Sequence, residues 1–424
     1  MKELWRSPTL RSAAVVGAGG AGFAGANLIL ARALPESEYA LFTLFLALLN
    51  LGFALAPVGI DTLVVRRPVE FGPRFLKKVI AVTSGVGLVF GAIGVFGYRL
   101  SLSVALMLAV AVAAGGIMAV AASQFQGELR FGVSLSLAQS PNLVLIIAAL
   151  LVLLLHAGDA NLALIVSTSG FMVAAWYGWS ILLRERHAKP ARTCAIAWGE
   201  AVAFAGVNAS GLLLVQLDRL IIPHVRPLGD LATFGVLAAI VGSLFRVMQQ
   251  GVGYSLLPRL RAASGVVEQR RLLAHEAKLV GAIILVGSGC IWAVTPLVER
   301  YVLAGKYHLT PALIVAAIVS GIAKIVNAFS KSSVSALANQ RELALVNYLG
   351  WVAAVVAVVA GLVLGGRGLV WVIYSVALGW LLRAVGSIYV TMRHLRLPAT
   401  VPATESGELE SQRSLPPSLR SGSR

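Results

Sequence analysis

The sequence predicts an all-α polytopic membrane protein of about twelve spans, and three observations carry that expectation. The 424 residues are 58% hydrophobic and only 12% charged, with a mean hydropathy of +0.85. A soluble protein of this size carries about a quarter charged residues, so there is too little polar surface to cover a water-soluble globule. Apolar stretches near twenty residues recur from end to end, the length needed to cross about 30 Å of hydrocarbon. They are continuous rather than alternating, which selects helices over a closed barrel where lipid offers the backbone no hydrogen bonds.

In chain order the spans fall at 12–33, 39–63, 77–98, 102–122, 133–156, 161–183, 200–223, 231–257, 274–297, 310–337, 344–365 and 369–392. With the N-terminus in the cytoplasm, the cytoplasmic connections collect 21 Lys and Arg against 6 on the other side. That asymmetry fixes the orientation and puts both termini inside. The net charge of +17 is therefore a topology signal, and no nucleic-acid partner is expected. The first span, with Ala31 and Ala33 at its end, resembles a secretory leader but is long for one. The repeat described next needs it as a span. Cys194 and Cys290 cannot support a disulfide framework. Residues 397–424, rich in Ser, Pro and Glu, form an expected disordered cytoplasmic tail.

An internal similarity at an offset of 192 divides the chain into halves of six spans, 1–192 and 193–396. Aligned without gaps, 35–67 and 227–259 share Pro35/Pro227, Ala40/Ala232, Phe42/Phe234, Ala47/Ala239, Phe53/Phe245, Gly59/Gly251 and Arg67/Arg259, with Glu38 facing Asp230. Each copy has a short turn with Pro and an acid, a long span, then an Arg. An offset of six spans makes the repeats parallel, related by an axis along the membrane normal, with a central cavity between them.

The stretch from Ala33 through Leu34-Pro35-Glu36-Ser37-Glu38-Tyr39 to Arg67 resembles the span 1–2 region of polysaccharide flippases of the multidrug/oligosaccharidyl-lipid/polysaccharide exporter superfamily. Their pattern there is Leu-Gly-Pro-x-x-Tyr-Gly, an apolar span, then Gly and a terminal Arg; two turn glycines are missing here. In the second half, Gln216-Leu217-Asp218-Arg219 and the Gly229-to-Phe234 turn are similar to the family's span 7 acid and Gly-x-x-Tyr turn, with Phe234 in place of Tyr. The resemblance implies a MATE-like fold and an O-antigen-translocase-like activity without cofactor. It also implies a polyprenyl-pyrophosphate-linked glycan as substrate, membrane lipids and a polysaccharide polymerase machinery as partners, and the bacterial inner membrane as location.

Charged side chains at mid-span are costly to insert and mark candidate sites. Six lie well inside the spans: Asp218, Arg219, Arg246, Lys324, Lys331 and Arg383, all in the second half. Asp61 sits near the cytoplasmic end of span 2. Ser320, Lys324, Asn327, Lys331 and Ser335 follow helical spacing and form one polar stripe on span 10. Such a stripe needs water or partners, although Lys331 also has the option of snorkelling to the headgroups. Arg219, Arg246, Lys324, Lys331 and Arg383 are the candidate substrate-binding residues, because guanidinium and ammonium groups hold phosphates. Asp218 and Asp61 are candidate coupling or counter-ion acids, with Arg219 or Arg246 as the expected partner of Asp218. Asn27 and Asn208 read as helix–helix contacts. Gly17-x-Gly19-x-x-Gly22 matches a dinucleotide fingerprint, but it lies inside an apolar run with no strand to complete the fold. Small residues at this spacing instead let membrane helices approach closely.

Three function classes compete on these features. A flippase of lipid-linked oligosaccharide working by alternating access predicts short outer loops, repeated halves and a charged cavity. A membrane polymerase or ligase predicts a large outer loop with catalytic residues, whereas the longest outer connection here is about a dozen residues, with no His/Glu pair expected in it. A multidrug/cation antiporter predicts cavity carboxylates, and bases outnumber acids here. No metal site is expected, and the chain carries no G-x-x-x-x-G-K-[ST] loop for ATP.

Overall fold

Turn residues and caps divide the apolar chain into its helices. The computed structural model describes residues 8–66, 71–185, 196–243 and 265–396, together with 69, 245, 256, 260 and 263. Arg246, Cys194 and the tail at 397–424 lie outside the described residues. The helices are α1 (Pro8–Ala33), α2 (Glu36–Leu55), α3 (Ile60–Arg66), α4 (Pro73–Ala92), α5 (Leu102–Gly127), α6 (Phe131–Leu154) and α7 (Asn161–Glu185). They continue as α8 (Trp198–Val225), α9 (Leu228–Leu237), α10 (Val266–Leu297), α11 (Pro311–Leu337), α12 (Gln340–Leu364) and α13 (Leu369–Arg396). Short π-helical turns extend α4, α9 and α10 to Gly97, Gly242 and Val302.

Nine of these helices are long and apolar enough to span a bilayer, and α8, bent by 42° after Gly206, makes a tenth. The twelve expected spans are completed by α1, of 26 residues, and by α9, which with its π turn runs Leu228–Gly242. Span 2 is broken where α2 ends and α3 begins. Val58 and Gly59 there adopt φ of 49° and 79°, and the Gly59 Cα faces the Ala201 carbonyl of α8 with no room for a side chain. Glycine meets both demands, since it alone adopts positive φ freely and has no Cβ to clash.

Starts are capped where the sequence supplies the chemistry. Thr310 caps α11 with Pro311 at its first position, and Asn339 with Glu342 forms a capping box on α12. The offset-192 prolines occupy equivalent places. Pro35 precedes α2 with φ −54° and ψ 153°, and Pro227 precedes α9 with φ −58° and ψ 151°.

The glycines of the first span act by packing. Gly19 lies against Gln139 and Asn142 of α6, and a Cβ at Gly22 would come within 2.6 Å of Ile146 Cδ1. The fingerprint is thus a helix-approach surface. Asn27, buried on α1, donates from Nδ2 to Phe23 O in its own helix at 2.8 Å.

The first and second sets of helices meet chiefly through α2, which packs against α8 and α9, with α1 against α9 and its π turn. Thr43 on α2 and Gly235 on α9 occupy equivalent positions of the offset-192 alignment and touch each other. A Cβ at Gly235 would lie 2.8 Å from Thr43 Oγ1. Contact between equivalent positions is what a two-fold axis through the crossing point requires.

Candidate functional site

The π turn after α9 and the second half of α8 enclose, with α11 and α13, a cavity of about 90 Å³. Its polar lining is Asp218, Arg219, Ser320 and Lys324, set among apolar residues such as Phe234 and Phe245. At about 30 Å³ of liquid volume per molecule it has room for about three waters. Gly321 of α11 lies directly against the Phe245 ring, which brings the polar stripe of this helix up to the cavity.

Asp218 is 2% exposed, and its Oδ2 lies 4.0 Å from Lys324 Nζ. Its Oδ1 accepts no hydrogen bond. Among the described residues the ion-pair partner of Asp218 is therefore Lys324 on α11 and not Arg219; Arg246, the other expected partner, lies outside the described residues. Arg219 is one residue on and so rotated about 100° around α8. It donates from Nη1 to Gln216 Oε1 at 2.8 Å, and its guanidinium lies 5.9 Å from the Phe234 ring centroid. Pairing across helices is the expected fate of opposite charges within a bilayer.

The remaining candidates lie away from this cavity. Lys331 is two turns beyond Lys324 on α11 and exposed. Arg383 on α13 is 6% exposed, and neither residue lines the cavity. Asp61 lies in the first turn of α3, where that helix meets the beginning of α8. It is about 25 Å along α8 from Asp218, so the two acids do not form one site. A further buried carboxylate, Glu276 on α10, lies outside the cavity lining. It drew no notice in the sequence because it falls only two residues inside an expected span.

At the end that carries the α1–α2 turn, the two sets of helices are linked by contacts that sequence reasoning missed. Lys306, in the α10–α11 connection, donates to Ala31 O at 2.8 Å and also to Leu34 O. Tyr307 adds a bond to Ala31 O at 3.3 Å, and Arg32 donates to Val302 O at 3.2 Å in return. Each cation thus neutralises the partially negative C-terminus of the opposite helix. Burial holds the Lys306 ammonium below the ordinary lysine value, with Glu36 opposing, and pushes the Tyr307 hydroxyl up. Tyr98 ties the same end by donating to Leu220 O at 3.1 Å. The α10–α11 connection also brings His308 Nδ1 to 3.2 Å from Glu299 Oε1, so a His/Glu contact is present where none was expected. Its role is in the turn, since the other Glu299 oxygen accepts from Leu309 N at 3.4 Å.

No protein-family profile and no curated protein sequence matches the chain. Solved structures do. A structure described as lipid II flippase MurJ in an inward closed conformation superposes with a TM-score of 0.65 at 12% identity, over 90% of this chain and 87% of that one. An inward-facing multidrug resistance MATE family transporter of the MOP superfamily gives 0.60 at 14% identity, over 88% and 94%. An outward-facing MATE structure gives 0.51 at 13% identity, over 92% and 97%. The chain therefore has the fold these transporters share.

Proposed function

We propose that this chain is a membrane transporter that moves a polyprenyl-pyrophosphate-linked glycan across a bacterial cytoplasmic membrane, by alternating access between halves 1–192 and 193–396. The observation that carries this reading is the balance of charge inside the second half. Arg219, Lys324, Lys331 and Arg383 lie in spans there, against Asp218 and Glu276. A net cationic interior suits an anionic head group, and guanidinium and ammonium groups are the side chains that hold phosphates. The likeness to a lipid II flippase supports the same substrate class. With no G-x-x-x-x-G-K-[ST] loop in the chain, the driving force in this reading is an ion gradient, the membrane potential or a substrate gradient.

The Oδ1 of Asp218, without a hydrogen-bond partner at the cavity wall, favours a second reading: export of a cationic small molecule, in keeping with the MATE likeness. A deletion strain separates the two. Accumulation of lipid-linked glycan with unchanged drug tolerance supports the flippase. Sensitivity to cationic drugs without glycan accumulation supports the exporter and overturns it.

A further inference from the structure

Arg383 presents a buried charge that no described residue balances. Its guanidinium threads between two glycines, one on α8 and one on α12. A Cβ at Gly211 would lie 2.7 Å from Nη1, and a Cβ at Gly350 would lie 3.4 Å from Nε. Among the described residues it pairs with no carboxylate, and its side chain donates to no acceptor. A guanidinium does not relieve burial by losing its proton, and a charge taken out of water is strongly disfavoured unless it is paired. Among the described residues the charged neighbour that acts on Lys331 is Arg383 itself, so α11 adds positive potential here. The polar atoms around the slot are also unsatisfied. Ser210 Oγ, 3.2 Å from the Gly350 Cβ position, has no hydrogen-bond partner, and neither does Asn347 Oδ1 one turn before Gly350. Two cations, a free hydroxyl and no acid make up an anion site.

We propose that Arg383, with Ser210 and Lys331, binds a phosphoryl group between α8, α11, α12 and α13, at a site separate from the Asp218–Lys324 cavity. Lys331 stands about 10 Å along α11 from Lys324, which sets the two sites apart. A planar guanidinium fork fits two oxygens of a phosphoryl group, and the hydroxyl supplies a third donor. The glycines at 211 and 350 leave the fork room to reach it. The phosphoryl group has two sources, a lipid-linked pyrophosphate or a free inorganic anion. The first source rests on the transport reading above; the site itself does not.

The experiment uses the full chain purified in detergent, with thermal unfolding followed against inorganic pyrophosphate and against gluconate at equal ionic strength. Stabilisation by pyrophosphate beyond gluconate is expected. Its apparent affinity should fall at least about tenfold in Lys331→Gln, the loss of one charged contact of about 1.4 kcal/mol, and further in Arg383→Gln. Lys278→Gln, at an exposed cation of α10, should leave it unchanged. Arg383→Lys, which keeps the charge but not the fork, should retain part of the binding and guards against a folding defect in Arg383→Gln. Tighter binding of a short-chain polyprenyl pyrophosphate assigns the site to the lipid head group, and equal binding assigns it to the free anion. No pyrophosphate effect beyond gluconate, or an equal effect in all Arg383 and Lys331 variants, overturns the proposal. Binding that persists in a protein unable to flip lipid-linked glycan in vesicles would sink the transport reading and leave the site standing.

Discussion

Lys306 donates to the Ala31 carbonyl at 2.8 Å, so a residue between α10 and α11 caps the C-terminus of α1 in the other set of helices. Arg32 returns the arrangement at Val302. Opening of this end has to break both. A hydrogen bond to a charged group contributes about 1.5–3 kcal/mol. Lys306→Met should therefore raise amide exchange in peptides covering 31–36 and 300–309 by roughly tenfold to a hundredfold, read by hydrogen-exchange mass spectrometry. Lys306→Arg should keep most of the protection. Unchanged exchange in Lys306→Met would show that the packing of α2 on α8 and α9 holds this end closed without it.

The Thr43–Gly235 crossing gives a stability prediction. A Cβ at 235 meets Thr43 Oγ1 at 2.8 Å and its Cγ2 at 3.1 Å, and a β-branched side chain in a helix has little freedom to turn aside. Gly235→Ala should cost about 1–3 kcal/mol through overpacking. Thr43→Ala removes both obstructing atoms, so the double substitution should recover most of the loss. Melting of the detergent-solubilised protein measures it, and an additive double variant would count against direct contact at the crossing.

Sequence periodicity was a good guide to where the helices lie and a poor one to what pairs. Apolar length and the turn prolines at 35 and 227 located the helices, because hydrocarbon thickness and proline geometry act locally. Gly19 and Gly22 were legible as an approach surface for the same reason. The partner of Asp218 was not, since the rotation that turns Lys324 toward it depends on how α8 and α11 pack. Lys306 and Arg32 were invisible for a different cause: they bind backbone carbonyls, which every residue carries. The His308–Glu299 pair was legible and was overlooked, since both residues fall in the connection between the spans expected at 274–297 and 310–337; only their contact depends on how the turn folds.

Orientation is open to a direct test. The bias of 21 basic residues to 6 predicts that both termini lie in the cytoplasm. Reporter fusions after residues 70, 190 and 265 should report cytoplasm, and fusions after 158 and 228 the outside. One reversed result would break the span parity and with it the parallel relation of the halves.

The Asp218–Lys324 pair makes the sharpest prediction about the site. Two readings exist for the acid: a fixed counter-ion to Lys324, or a group that exchanges a cation during the cycle. The 4.0 Å separation and the exposure of 2% for Asp218 favour the first, because a buried charge needs its partner in place. Breaking such a pair from one side costs about 3–5 kcal/mol, as the remaining charge is left uncompensated. Asp218→Asn alone, or Lys324→Gln alone, should therefore lower both abundance and melting temperature. The double variant Asp218→Asn with Lys324→Gln carries no charge at either position and should regain most of the stability, with a coupling of about 0.5–3 kcal/mol. Transport then separates the roles. If the pair is structural, the double variant should flip lipid-linked glycan in vesicles at a substantial fraction of the normal rate at every pH. If Asp218 exchanges a cation, stability should return while gradient-driven transport stays lost. Single variants as stable as the parent protein would show that the two side chains do not depend on each other.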